Sequence, residues 1–92
     1  MYILRIEHGV PDFDMWKRTF DTDPLGRRDG GVVRYRILRP VDDAGHVLID
    51  LEFDSAGEAE AFHDRLRELW DGVDLMRDPT ARVVEVVESE DL

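Results

Sequence analysis

The stretch HVLIDLEFDSAGEAEAF, residues 46–62, contains the pattern that decides the fold. Its first half alternates apolar and polar residues, which is typical of a β-strand with one buried face. The residues on the apolar face are Val47, Ile49, Leu51 and Phe53. The opposite face carries two carboxylates, those of Asp50 and Glu52. We therefore expect this strand to cover a hydrophobic core with one face and to present acidic groups on the other.

The second half of the stretch predicts a helix that follows the strand directly. Ser55 and Glu58 have the spacing of a capping box, in which side chains bond to backbone N–H groups that the helix leaves free. An apolar stripe at helical spacing then extends along the segment, formed by Ala59, Phe62, His63, Leu66, Leu69 and Trp70. Gly72 has the position of the residue that follows a helix C-cap.

Three more strands and one more helix are predicted outward from this unit. Alternation indicates strands at residues 2–8, 32–39 and 82–88. The apolar face of the second strand is formed by Val33, Tyr35 and Ile37. Asp12 can cap the additional helix, whose apolar side is formed by Phe13, Trp16 and Phe20. The order strand, helix, strand, strand, helix, strand predicts an α+β fold, a βαββαβ sheet of four antiparallel strands with both helices on one face.

Charged residues on the other face predict the order of the strands. They are Arg5 on the first strand, Arg34 and Arg36 on the second, Asp50 and Glu52 on the third and Glu85 on the fourth. In the order four, one, three, two, neighbouring strands carry charges of opposite sign, with Glu7 as the one exception. Opposite charges on adjacent strands stabilise a sheet, so we predict this order.

Composition and charge restrict the classes of function. The 92 residues predict a single domain at 1–88, followed by an acidic tail at 89–92. A net charge of −10 argues against nucleic-acid binding, because phosphates would repel the protein. No apolar run approaches the ~20 residues that a membrane span needs, and no secretory signal is visible. The chain has no cysteine, and we expect a cytoplasmic protein.

Two histidines are candidate general bases, since an unperturbed imidazole titrates at about 6.5. His63 lies on the apolar stripe of the second helix, and His8 lies at the end of the first strand on the side of the helices. Each has an ordinary structural interpretation as well, His63 as a boundary residue and His8 as a polar strand end. With His46 they lack the spacing of metal ligands, so no metal site is expected.

A second group of residues could line a ligand pocket between helices and sheet. Its aromatic members are Trp16, Tyr35, Phe62 and Trp70. The alternative is that rings at these spacings, those of Trp16 and Phe62 above all, simply form the core. Arg27 and Arg28, in the glycine-rich loop after the first helix, could hold an anionic ligand or be merely solvated.

The chain resembles the ferredoxin-like dimeric α+β-barrel superfamily, which includes antibiotic-biosynthesis monooxygenases and haem-degrading monooxygenases, and is nearest to its uncharacterised small members. The likeness is carried by PDFDMWKRTF at 11–20, Arg27-Arg28, Gly31, Tyr35-Arg36, LEFDS at 51–55 and AEAF at 59–62. It implies a homodimer in which two sheets face each other, with a ligand pocket in each subunit. The barrel form further predicts that the partner buries Leu38, Leu48, Val32 and Val83 or Val87.

The branches of this superfamily differ in the residues that they use. The haem-degrading branch has a histidine near the end of its second helix, and residues 70–72 contain none, so no cofactor is expected. The cofactor-free monooxygenases use asparagine, tryptophan and tyrosine around the substrate. This chain has no asparagine, and its chemically similar residues are Trp16, Tyr35 and Trp70.

Three functional hypotheses follow. The first is a homodimeric protein that binds a small aromatic or hydrophobic molecule in a pocket lined by His8, Trp16, Tyr35, His63 and Trp70. The second is a cofactor-independent monooxygenase or cyclase for an aromatic or polyketide-like substrate, with His63 or His8 as the base. The third is a structural or regulatory interaction module with a filled core. A cavity of several hundred Å3 that reaches His63 would favour the first two.

Overall fold

The computed structural model describes residues 1–71 and 77–92, and the predicted role of Gly72 lies outside them. Within these residues the elements are β1 (Tyr2–Gly9), α1 (Phe13–Asp21), β2 (Val32–Leu38), β3 (His46–Phe53), α2 (Ala56–Trp70) and β4 (Arg77–Glu85). The strands form one sheet in the order β2-β3-β1-β4, and every neighbouring pair is antiparallel. The predicted βαββαβ architecture and strand order are confirmed.

Both helices begin at the predicted capping residues. Asp12 Oδ1 accepts a hydrogen bond from the Met15 backbone N–H at 3.1 Å. Ser55 Oγ accepts one from the Glu58 N–H at 3.2 Å, and its hydroxyl donates to Glu58 Oε1 at 3.0 Å. These bonds satisfy N–H groups in the first turn, which have no partner inside the helix.

The core lies between the two helices and one face of the sheet. Its buried members are Leu4, Ile6, Val10, Trp16, Val47, Ile49, Leu51, Phe53, Ala59 and Phe62. Because Trp16 comes from α1 and Phe62 from α2, both helices cover the same face, as predicted. The rings of Phe53 and Phe62 pack with centroids 5.7 Å apart and join α2 to β3.

The opposite face carries the predicted ion pairs, and we call it the ion-pair face. Arg5 bonds to Asp50 through two N–H groups, both at 2.9 Å. Arg34 bonds to Glu52, and Arg36 reaches Asp50 at 3.4 Å. Hydrogen bonds from Arg5 lower the pKa of Asp50, and hydrogen bonds from Arg34 lower that of Glu52. Both carboxylates are therefore held ionised beneath a layer of guanidinium groups.

The prediction for the fourth strand was wrong in its bounds and in the face of Glu85. The strand begins at Arg77 instead of residue 82, and Glu85 pairs with Tyr2 on the helix side of the sheet. There the Glu85 carboxylate raises the pKa of the Tyr2 phenol. Arg82 takes the place opposite Arg5, so two like charges adjoin. Packing of Val83 against the core explains this orientation, because residues two apart in a strand share a face.

An irregularity in β2 moves one predicted core residue to the surface. Val32 pairs with Phe53 and Arg34 with Glu52, so two steps along β2 match one step along β3. This extra residue turns Val32 toward the core and leaves Val33 54% exposed. Val32 and Val83 were expected to be buried by a partner, whereas both pack against the core of their own chain.

The last strand ends at Glu85, and among the described residues one backbone hydrogen bond extends the pairing into the segment that follows. The Val86 N–H donates to the Met1 carbonyl oxygen at 3.0 Å, and residues 87–92 are exposed. The division into a domain at 1–88 and a tail at 89–92 stays a prediction. No helix within the described ranges has the length and apolar character that crossing a membrane requires. The cytoplasmic location also stays a prediction.

Candidate ligand-binding site

A cavity of about 200 Å3 lies between the helices and the sheet. Strands β1 and β3, both helices and the loop after α1 contribute to its wall. The side chains that line it include those of His8, Trp16, Phe20, Arg27, Phe62, Leu66 and Trp70. An apolar cavity of about 150 Å3 can hold one benzene molecule, so this volume is suited to a molecule with one or two aromatic rings.

Four of the six predicted site residues line this cavity: His8, Trp16, Phe62 and Trp70. Tyr35 is not among the described lining residues, but its ring packs edge-on against Phe20, with centroids 5.2 Å apart. It therefore supports the wall from outside. The structure thus brings aromatic groups from both helices and the first strand together around one space.

His63 does not belong to the described lining of the cavity. The α2 residues that do are Phe62, Leu66, Leu69 and Trp70, whose spacing follows one side of a helix. His63 lies about 100° around the helix axis from Phe62, so it falls at the edge of that side. Its Nε2 accepts a long hydrogen bond from Arg67 Nε at 3.4 Å. Partial burial lowers the pKa of His63, and the positive charge of Arg67 lowers it further.

His8 is the buried polar group of the cavity wall, with an exposed fraction of 2%. Its Nδ1 lies 3.1 Å from the carbonyl oxygen of Gly9, a pure acceptor, which assigns the proton to Nδ1 and the lone pair to Nε2. Its ring stands edge-on to Trp16 at a centroid distance of 5.6 Å. Burial lowers the pKa of His8, so the imidazole is neutral at pH 7 and able to accept a proton or hydrogen bond.

The loop between α1 and β2 closes one side of the cavity through Arg27. The Arg27 Nη1 donates to the Phe20 carbonyl oxygen at 2.9 Å, and its backbone N–H donates to Asp23 Oδ1 at 2.9 Å. The guanidinium carbon lies 3.9 Å from the centroid of the Phe20 ring and 5.0 Å from that of Tyr35. Hydrogen bonds and cation–π contacts together hold this side chain in place.

Two glycines explain why the loop can lie so close to α2. A Cβ atom on Gly30 would come within 2.6 Å of the Phe62 ring, and Gly31 has a φ of +100°, which side chains disfavour. Sequence reasoning identified Arg27 as a possible anion-binding residue but did not place this loop in the cavity wall. The run of glycines was the available signal, since glycine often marks a close backbone approach.

Solved structures similar to the chain share its fold along nearly the full length. One, provisionally identified as an antibiotic biosynthesis monooxygenase from Deinococcus radiodurans, is 18% identical with a TM-score of 0.74, and the match covers 100% of this chain and 98% of that one. A dimeric ferredoxin-like protein from an uncultured marine organism is 15% identical with a TM-score of 0.66, covering 97% and 96%.

A third similar structure is a mutant of MhuD with two manganese protoporphyrin IX groups bound per active site. It is 13% identical with a TM-score of 0.71, and the match covers 99% of both chains. No protein-family model and no curated protein matches the chain. At these identities the likeness establishes the ferredoxin-like fold and not an activity.

Proposed function

We propose that the protein binds a small aromatic or hydrophobic molecule between its helices and its sheet. The observation that supports this most is the cavity of about 200 Å3 with aromatic residues in its wall. The space is concave and partly open to solvent, and it is lined mostly by apolar and aromatic side chains, which is the usual form of a small-molecule site. Its mostly apolar wall offers water few partners, which favours an apolar occupant. The cavity is smaller than the several hundred Å3 named above and His63 is not among its described lining residues, so the third hypothesis, an interaction module without a ligand, stays the alternative that a binding experiment decides.

The two tryptophans of the chain allow a direct test of this proposal. Trp16 and Trp70 are the only tryptophans in the sequence, and both line the cavity. In a 15N–1H correlation spectrum their two indole N–H signals should both shift when a panel of one- and two-ring aromatic compounds is added. A panel that shifts neither indole signal would contradict the proposal.

Matched variants on α2 localise the binding. Leu66→Phe adds volume at a residue that lines the cavity, whereas Ala61→Phe adds it at an exposed position of the same helix. We expect the first change to weaken or abolish binding of the compounds found in the panel and the second to leave it unchanged. Equal effects of the two variants would place the ligand elsewhere.

We also propose that the protein acts as a homodimer, with a second copy lying on the ion-pair face. Among residues 1–71 and 77–92 of a single chain no element covers this face, and Leu38 on it is 42% exposed. Some of the similar structures are described as dimeric ferredoxin-like proteins, which supports the proposal. Burial of this face would add apolar area to a small domain that buries little by itself.

A second candidate function is proton abstraction, as in a cofactor-independent monooxygenase or a cyclase. The observation that favours it is the neutral His8 imidazole in the cavity wall, with Nε2 as the acceptor. His8→Gln should then abolish turnover of a substrate while its binding persists. His63→Gln is the matched control, since His63 lies outside the described cavity lining. Turnover that survives the change at His8 would exclude His8 as the base, whereas a parent protein that binds compounds without converting them would leave ligand binding as the function.

A further inference from the structure

Arg27 is the single permanently charged cation among the described residues that line the cavity. Its side chain is 16% exposed, so its charge is partly withdrawn from water. A guanidinium in such surroundings interacts more strongly with an anion than one on the open surface. The group therefore adds a specific polar feature to a wall that is otherwise mostly apolar.

The guanidinium retains hydrogen-bonding capacity. Of its five N–H donors, the described contacts use Nη1, which donates to the Phe20 carbonyl oxygen. Asp23 Oδ1 lies 3.5 Å from Nη1, but that oxygen accepts its short bond from the Arg27 backbone N–H at 2.9 Å. Asp23 thus competes for the charge of Arg27 only partially.

The orientation of the guanidinium is set before any ligand arrives. It stacks on the Phe20 ring at 3.9 Å, with Tyr35 at 5.0 Å as a second aromatic neighbour. A planar fork held in this way loses little conformational entropy when it binds a carboxylate. Preorganisation of this kind increases affinity without any additional contact.

We infer that Arg27 makes the cavity selective for aromatic monocarboxylates, with the ring in the apolar space and the carboxylate on the guanidinium. This inference rests on the proposed function and names its ligand class. The volume of about 200 Å3 limits the ring system to one or two rings. Asp23, close to Arg27, opposes a second negative charge on the ligand.

The test compares three probes of nearly equal size and shape: 2-naphthoate, 2-naphthylmethanol and 2-naphthylmethylamine. Their dissociation constants are measured from the indole N–H shifts of Trp16 and Trp70. We expect 2-naphthoate to bind about tenfold more tightly than the alcohol, because a hydrogen bond between two charged groups adds about that much affinity. The amine should bind most weakly, because its positive charge is repelled by Arg27. Equal affinities for acid and alcohol would overturn the inference but leave the proposed function intact. Failure of all three probes to bind would overturn the inference, and a panel that also shifts neither indole signal would overturn the proposed function as well.

Variants then assign the selectivity to Arg27. The quantity to compare is the ratio of the alcohol and acid dissociation constants within each variant, because a general loss of stability cancels in that ratio. Arg27→Gln should abolish the preference for the acid, and Arg27→Lys should retain part of it. Arg28→Gln is the control, since Arg28 is exposed and is not among the described lining residues.

Asp23→Asn provides an independent test in the opposite direction. Asparagine tolerates the left-handed backbone of this position, where φ is +53°, and keeps an oxygen for the Arg27 N–H. Removal of the competing negative charge should lower the dissociation constant of 2-naphthoate several-fold and leave that of the alcohol unchanged. If 2-naphthoate still binds more tightly than the alcohol in Arg27→Gln, and Asp23→Asn does not change that preference, Arg27 is not the selective group.

Discussion

Arg5 of β1 and Asp50 of β3 form a two-point ion pair across the middle of the sheet. Nε meets Oδ1 and Nη2 meets Oδ2, each at 2.9 Å, which is the parallel geometry that suits a guanidinium and a carboxylate. Asp50 is 2% exposed, whereas the Arg5 side chain is about half exposed. The arginine therefore acts as the polar cover of a buried acid.

Removal of Arg5 should destabilise the protein. Breaking a buried ion pair typically costs about 3–5 kcal/mol, and the exposure of Arg5 together with the remaining contact to Arg36 should reduce the cost of Arg5→Met to about 2 kcal/mol. Equilibrium urea unfolding at a fixed protein concentration measures it. Arg82→Met is the control on the same face, because Arg82 has no ion pair within residues 1–71 and 77–92 and adjoins Arg5. Equal losses in the two variants would argue against a specific role for the Arg5–Asp50 pair.

Protonation of His8 should make stability depend on pH below neutrality. Burial lowers the pKa of folded His8, whereas the unfolded chain takes up a proton at about pH 6.5. The unfolded state thus binds more protons, so the free energy of unfolding falls as the pH drops from about 6.5 toward the folded pKa. Urea midpoints between about pH 7.5 and about pH 5.5 test this, and His8→Gln should flatten the slope. His63→Gln should flatten it less, because His63 is less buried; a slope unchanged by His8→Gln would contradict the prediction.

Substitution by alanine should have opposite effects on stability at two glycines, Gly31 and Gly57. Gly31 has a φ of +100°, and a Cβ atom there would meet the Glu58 carboxyl group, with its carbon at 2.9 Å, so Gly31→Ala should cost about 1–2 kcal/mol. Gly57 lies in α2 with nothing within 4 Å of its added Cβ, and Gly57→Ala should stabilise by about 0.5 kcal/mol. Thermal unfolding of both variants beside the parent protein decides the matter. The reverse order of stabilities would mean that the loop does not adopt this path against α2.

The proposed homodimer predicts a particle of about twice the chain mass of 10.7 kDa at micromolar concentration. Leu38→Arg adds a positive charge beside Arg36 on the ion-pair face and should shift the protein to monomer in sedimentation velocity. Val41→Arg, in the fully exposed loop between β2 and β3, should leave the dimer unchanged. A parent protein that sediments as a monomer would refute the dimer, and a dimer that tolerates Leu38→Arg would have another interface.

The sequence was sufficient for the elements that depend on local pattern. The alternation of residues 46–53, the caps at Asp12 and Ser55 and the placement of Arg5 and Asp50 on the same face of adjacent strands were all predicted and are all present. Alternation selects a strand face, and a cap needs only a side chain near its own backbone. These interactions involve neighbours along the chain or residues on the same face of adjacent strands. The spacing of residue types along the sequence is therefore enough to predict them.

Tertiary packing alone decided the face of Glu85, the extra residue at Val33 and the loop of Arg27 over the cavity. A strand that has apolar residues at both odd and even positions can turn either face toward the core. Which face is buried depends on how its side chains pack against residues that are distant in sequence. The same holds for His63, whereas alternation along β1 already placed His8 on the side of the helices. His63 lies at the helix edge because the rotation of α2 is set by its contacts with β3 and the loop, which no local pattern encodes.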